Sequence, residues 1–157
     1  CKNLKEIRYP EGITEIPYDD CVECDSLEKI YMPEGIEVIK ESFACCSALK
    51  EIVVPYNVKK INFGTFLQCE NLEKIYLPSK NLEYIGARAF ALASENLIIY
   101  VPEGKAEEYK ELAMKPYGLY DFLTEDIEYM PKITWQEVED DEWDELLAGS
   151  EAYIPPV

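Results

Sequence analysis

The sequence predicts an α/β repeat fold, mostly β: a right-handed solenoid with a parallel sheet, about four and a half rungs long, closed by a C-terminal helical cap. Three observations predict it. Prolines fall at Pro10, Pro33, Pro55, Pro78 and Pro102, at spacings of 23, 22, 23 and 24. Ile7, Ile30, Ile52, Ile75 and Ile99 keep the same spacings. Two further apolar columns run in step with them: Ile13, Ile36, Val58, Leu82 and Ile16, Ile39, Ile61, Ile85. A unit this short cannot bury its own apolar face, so it stacks on copies of itself.

Within a rung the elements follow in order. Ile75, Tyr76 and Leu77 form a short alternation, which is a strand signal. Identical strands stack parallel and in register, about 4.8 Å apart. The proline has no N–H and belongs at the strand end. Gly12, Gly35, Asn57 or Gly104 then supplies a turn residue that tolerates positive φ. A second extended piece follows, as at residues 58–61. The segment after it turns one aromatic inward, at Phe43, Phe66 and Phe90, and suits a helical turn or an irregular bend.

After Pro102 the period breaks. Residues 105–115 read as a helix stopped by Pro116. Tyr117, Leu119, Tyr120, Phe122, Leu123 and Ile127 would cover the open last rung, as a solenoid end requires. Thr134 followed by Glu137 fits a capping box, which predicts a helix from Trp135 to about Ala148, ended by Gly149. Trp135, Val138, Trp143, Leu146 and Leu147 would share its apolar face, and the final residues read as an extended end. The expected organisation is a solenoid at 1–102, a cap with a helix at 103–131, and an acidic amphipathic helix with an extended tail at 132–157.

The six cysteines follow the repeat. Cys1, Cys24, Cys46 and Cys69 share one column, Ala93 takes its last slot, Cys21 takes the aromatic slot, and Cys45 lies off the columns. Three readings stand. Buried reduced thiols would form a cysteine ladder of small hydrophobes. Disulfides could join neighbouring rungs, whose spacing falls within the allowed Cα range. A zinc site could draw on Cys21, Cys24, Cys45 and Cys46, although a column is a line and a closed site needs tetrahedral corners. The expectation is no metal and no cofactor.

The charge bounds the partners. The chain carries a net −17, and residues 103–157 hold 4 basic against 16 acidic groups. That disfavours nucleic acid and direct binding to anionic membranes. With no histidine, no phosphate loop and no nucleophile motif, the chain is not expected to be an enzyme.

The unit seen most completely in Leu72, Ile75, Leu77, Pro78, Leu82, Ile85, Gly86, Ala89 and Phe90, with Ala93 for the cysteine, resembles the BspA-like leucine-rich repeat. The resemblance covers residues 1 to about 112, and the stretch from Tyr100 to Leu112 is similar to the way such arrays end. It implies a leucine-rich-repeat solenoid, a recognition module often found on microbial cell surfaces, and no catalytic activity. Rung one departs at Pro17 and Cys21, and rung two lacks one residue between Ile39 and Phe43.

A protein partner would meet the outward column Arg8, Tyr31, Val53, Tyr76, Tyr100 and its neighbour Glu6, Lys29, Glu51, Lys74. Tyrosine and arginine are enriched at binding hot spots, which makes Tyr31, Tyr76, Tyr100 and Arg8, flanked by Lys29 and Lys74, the candidate binding residues. The competing reading is structural: tyrosine favours strands, and alternating charge avoids like charges one rung apart. Trp135 and Trp143 are further candidates, either packing the tail onto the solenoid or presenting an acidic helix to a basic partner. Three functions follow: a non-catalytic recognition module, which the resemblance places in a microbial surface or adhesion protein; a spacer in a longer surface array; and an acidic inhibitor or immunity-like protein that binds a basic partner through its C-terminal helix. The oligomeric state stays open. A secreted or cell-surface location follows from the resemblance, and a cytoplasmic one from free thiols and the absence of a visible leader in this stretch. The first rung begins at its column cysteine, which leaves three readings open: a piece of a longer array, a lost beginning, or a mature lipoprotein starting at Cys1.

Overall fold

The computed structural model describes residues 1–114, 131–150 and 152. Each rung contributes a three-residue strand and, after the proline turn, a two-residue strand. In chain order these are β1 (Glu6–Arg8), β2 (Glu15–Ile16), β3 (Lys29–Tyr31), β4 (Val38–Ile39), β5 (Glu51–Val53), β6 (Lys60–Ile61), β7 (Lys74–Tyr76) and β8 (Tyr84–Ile85). The longer β9 (Ile98–Pro102) leads into α1 (Ala106–Met114), and β10 (Thr134–Val138) and α2 (Trp143–Ala148) complete the order. All pairings are parallel and in register. Ile7 lies opposite Ile30, Ile52 opposite Ile75, and Ile75 opposite Ile99. The first sheet is bonded as β1-β3 and as β5-β7-β9-β10, and β2-β4-β6-β8 form the second sheet. The result is a solenoid of about four turns.

The interior is a set of stacked columns. Leu27, Leu49, Leu72 and Leu97 are buried, as are Ile16, Ile39, Ile61 and Ile85. Phe43, Phe66 and Phe90 stack at centroid separations of 6.1 and 6.2 Å with nearly parallel rings. Rung one has the small Cys21 in that slot, and Tyr9 fills the space, its ring edge-on to Phe43 at 6.5 Å. Tyr9 stands where other rungs carry Met32, Val54 and Leu77, so the rung exchanges the sizes of two slots. Its hydroxyl donates to Asp20 at 2.6 Å, which satisfies the polar end of a buried ring.

The segment carrying the phenylalanines is a series of turns rather than a helical turn. Glu23, Cys45, Gln68 and Leu92 all have φ between 58° and 62°, one per rung, each directly before the column cysteine or Ala93. Asp19, Gly64 and Arg88 make a second left-handed column. The residue that rung two lacks is the one that would continue it. Backbone bonds tie these turns together across rungs, among them Cys21 N–H to Ser42 O at 2.9 Å, Cys45 N–H to Leu67 O at 2.7 Å and Gln68 N–H to Ala91 O at 2.9 Å.

The six cysteines are free thiols: Cys21, Cys24, Cys46 and Cys69 are buried, Cys45 is half-buried and Cys1 is exposed. Cys46 Sγ donates to Cys21 O and Cys69 Sγ to Phe43 O, both at 3.1 Å, so each thiol reaches into the rung before it. Burial pushes the Cys69 thiol up to about 12 and raises Cys46 as well. Burial, followed by the nearby Glu23, Asp25 and Glu70 carboxylates, raises Cys45 too. A thiol held protonated in the folded state contributes stability below its unfolded pKa and loses it as pH rises through the folded value. Chemical stability is therefore expected to fall between about pH 9 and 12. In the native state at pH 8, a maleimide should label Cys1 rapidly and leave Cys24, Cys46 and Cys69 intact, read by peptide mass spectrometry. Rapid native labelling of Cys69 would contradict this burial.

The C-terminal part differs from expectation. Residues 134–138 are strand β10, not the first turns of a helix, and only Trp143–Ala148 are helical. Trp135 pairs with Ile99 and so takes the isoleucine slot of a further rung. Its ring stands edge-on to Phe90 at 6.5 Å, closing the aromatic column as Tyr9 does at the other end. The ladder bonds and this packing outweigh the capping-box signal. Helix α1 covers the same end through Tyr109, which is fully buried. The Tyr109 hydroxyl donates to Ser79 O at 2.6 Å and accepts from Leu82 N–H at 3.4 Å. Pro116, the expected capping residues from Tyr117 to Ile127, and the extended end lie outside the described residues.

Candidate functional site

The outer face of the first sheet is built by strand alternation. In each three-residue strand the central isoleucine points inward, so the residues on either side point out. Parallel register then stacks Arg8 beside Tyr31 and Tyr76 between Val53 and Tyr100. The two ends of this column differ.

At the first end the face is open. Arg8 is exposed and Tyr31 half-buried, and the guanidinium of Arg8 lies 6.0 Å from the centroid of the Tyr31 ring. Arg8 Nε also donates to Glu6 Oε1 at 2.7 Å. The Tyr31 hydroxyl donates to Glu11 at 3.0 Å, and that bond raises the phenol above its ordinary range. Lys29 is exposed beside them.

At the other end the face is covered, which corrects the expectation of an open tyrosine column. Tyr76 and Tyr100 stack at 5.0 Å with a 7° interplanar angle, but Tyr76 is only 3% exposed. Trp143 and Leu147 of α2, with Val138 of β10, pack on it, and Val53, Tyr100 and Leu146 border the cluster. Burial raises the Tyr76 phenol, and the Glu51 carboxylate adds to the rise. Glu51 in turn accepts from Ser150 Oγ at 2.7 Å and lies 3.6 Å from Lys74 Nζ. The sign alternation of the Lys74 column thus includes one real ion pair, weak because it is partly exposed.

Both tryptophans are turned inward. Trp143 is 4% exposed, and Trp135 packs against the core. They are therefore not presented as the anchors of a free acidic helix. The acidic side chains around them, Glu137, Glu139 to Glu142, Asp144 and Glu145, face solvent. The carboxylates of Glu139, Asp141 and Glu142 gather within 4.8 Å of one another, and Glu142 first among these like charges raises the Glu139 carboxyl.

A six-residue helix is not stable by propensity alone, so packing must hold α2 in place. Trp143 Nε1 is buried without a hydrogen-bond partner among the described residues. Replacing Trp143 with alanine is expected to release α2 locally and raise hydroxyl-radical labelling of Tyr76 several-fold, while the rung core unfolds at nearly the same denaturant concentration. Unchanged labelling of Tyr76 would contradict the cover.

Sequence reasoning missed β10; it offered a tail packed onto the solenoid by its tryptophans but did not place that tail over the tyrosine face. The signal was present as Ile133, Trp135 and Val138 among strand-forming residues, but the segment stands 36 residues after Ile99, outside the period. No local pattern reports the contact of Ser150 with Glu51, 99 residues away.

Comparisons with known proteins agree with this geometry. The family model of the BspA type leucine rich repeat region matches six copies over residues 1–98. The chain is similar to a leucine-rich repeat protein of Bacteroides ovatus, with a TM-score of 0.64 and 26% identity, over 87% of this chain and 31% of that one. It shares its fold with a leucine rich cell surface protein of Faecalibacterium prausnitzii, with a TM-score of 0.57 and 21% identity, over 72% of this chain and 36% of that one. The chain thus spans about a third of the length of these proteins. None of the curated proteins matches it.

Proposed function

We propose that this chain, which belongs to the BspA-type leucine-rich-repeat family, is a non-catalytic protein-recognition module that engages a partner through the outer face of its first sheet. The observation that carries the reading is the open end of that face: exposed Arg8 over the half-buried Tyr31 ring, with Lys29 beside them. Arginine and tyrosine are the side chains most often found at interface hot spots. A strand-borne array holds them rigidly, which lowers the ordering cost of binding. Tyr76 is covered by α2 and Tyr100 borders the same cluster, so these two, with Lys74 paired to Glu51, frame the open end and do not themselves meet the partner. The cell-surface setting implied by the resemblance belongs to the same proposal.

A photo-crosslinking amino acid tests it, placed at Lys29 on the outer face or at Leu92, an exposed turn residue away from it. In the cells that make the protein, a discrete adduct from position 29 and none from position 92 is expected. Adducts from position 92 alone, or from neither, would overturn the reading and favour a spacer.

A further inference from the structure

Helix α2 does not seal the face completely. It leaves a cleft of about 270 Å³ against strands β3 and β5. Val53 and Leu147 give this cleft an apolar floor, Tyr31 and Tyr56 bring aromatic rings, and Glu34 and Asp144 bring carboxylates. Tyr56 and Asp144 also line a second cleft of about 350 Å³ at the start of α2, so the two are contiguous. Among the described residues no lysine or arginine lines the first cleft, whereas Lys80 lines the second.

We infer that this cleft takes a basic segment of a protein partner, an arginine or lysine side chain next to an apolar one. The inference rests on the recognition reading above and names the chemistry of the partner. Three features support it. The floor favours an aliphatic side chain, because covering the half-buried Val53 beside the buried Leu147 removes apolar surface from water. Among the described lining residues these carboxylates meet no cation, and an incoming guanidinium or ammonium would supply one with charge-assisted hydrogen bonds. Glu34 is held at the edge by the Tyr56 N–H, which donates to it at 3.1 Å, so the acceptor is placed in advance. At longer range the net charge of −17 steers cationic partners in and repels anionic ones.

The test uses the full 157-residue chain, isotopically labelled. The probe is an acetylated, amidated hexapeptide alternating leucine and arginine, followed by amide chemical shifts. Saturable shifts clustered at Tyr31, Val53, Tyr56 and Leu147 are expected. A leucine–glutamate hexapeptide should cause none, and a glycine–arginine hexapeptide should bind about tenfold more weakly. The double variant Glu34→Gln with Asp144→Asn should weaken the leucine–arginine peptide by about tenfold or more while leaving thermal unfolding unchanged. Three results would overturn the inference: no saturable binding, equal affinity in the double variant, or shifts centred on Glu139, Asp141 and Glu142. If one of these occurs while the position-29 crosslink persists, only the basic-segment assignment falls. If the crosslink also fails, the recognition reading falls with it.

Discussion

Replacing Phe66 with alanine is expected to lower the unfolding free energy by about 3–5 kcal/mol. Phe66 is fully buried and stacked on both sides, 6.1 Å from Phe43 and 6.2 Å from Phe90. Truncation removes the ring's transfer free energy and leaves a void that the neighbours cannot fill. Their positions are fixed by rung-to-rung backbone bonds such as Phe66 N–H to Ala89 O at 2.8 Å. A central rung supports interfaces on two sides, and stability in a stacked array is roughly a sum of such interfaces. The loss is comparable with the low end of a whole domain's stability, about 5 kcal/mol. Urea unfolding followed by circular dichroism measures it. A midpoint that falls with an unchanged slope fits the account, and a change below about 1 kcal/mol would place the ring outside a packed column.

Gly86→Ala is expected to cost about 3 kcal/mol or more, for the opposite reason. A Cβ at Gly86 would sit 2.2 Å from Phe63 N, 2.6 Å from Asn62 C and 2.7 Å from Phe63 Cα. All three are backbone atoms of the preceding rung, so no side chain can swing aside. The rungs would have to part, straining the bond from Gly86 N–H to Ile61 O at 2.7 Å. Gly12→Ala is the matched control. Gly12 has φ of +92° with nothing within 4 Å of a Cβ, so its cost is left-handed strain alone, about 1–2 kcal/mol. Thermal unfolding of both variants separates crowding from conformation. Equal losses would contradict the close approach at Gly86.

The solenoid was legible in the chain because its core is periodic. Once Ile52, Ile75 and Ile99 recur in step, parallel register follows from stacking like on like. Compensation inside a rung was harder to read. Cys21 is conspicuous in the aromatic slot, but only the three-dimensional path shows Tyr9 filling that space. The left-handed turn column was hidden because Glu23, Cys45, Gln68 and Leu92 share a conformation and no chemistry. The tail misled for a physical reason. Thr134 to Glu137 carries a local helix-start signal, whereas the competing strand is stabilised by Ile98 to Pro102, more than thirty residues earlier. The candidate face was legible as an alternation of outward residues. Its occupancy was not, because the Trp143 and Leu147 spacing equally fits a helix that packs and one that is presented.

The central claim is that the rungs stack into one interior spine and that Trp135 extends it. Nuclear Overhauser contacts along the backbone of the labelled chain test this most directly. Cross-strand contacts are expected between residues 7 and 30, 52 and 75, 75 and 99, and 99 and 135, with sequential extended-chain contacts through 134–138. Helical contacts between residues three apart across 134–138, or the absence of contacts between 75 and 99, would contradict it.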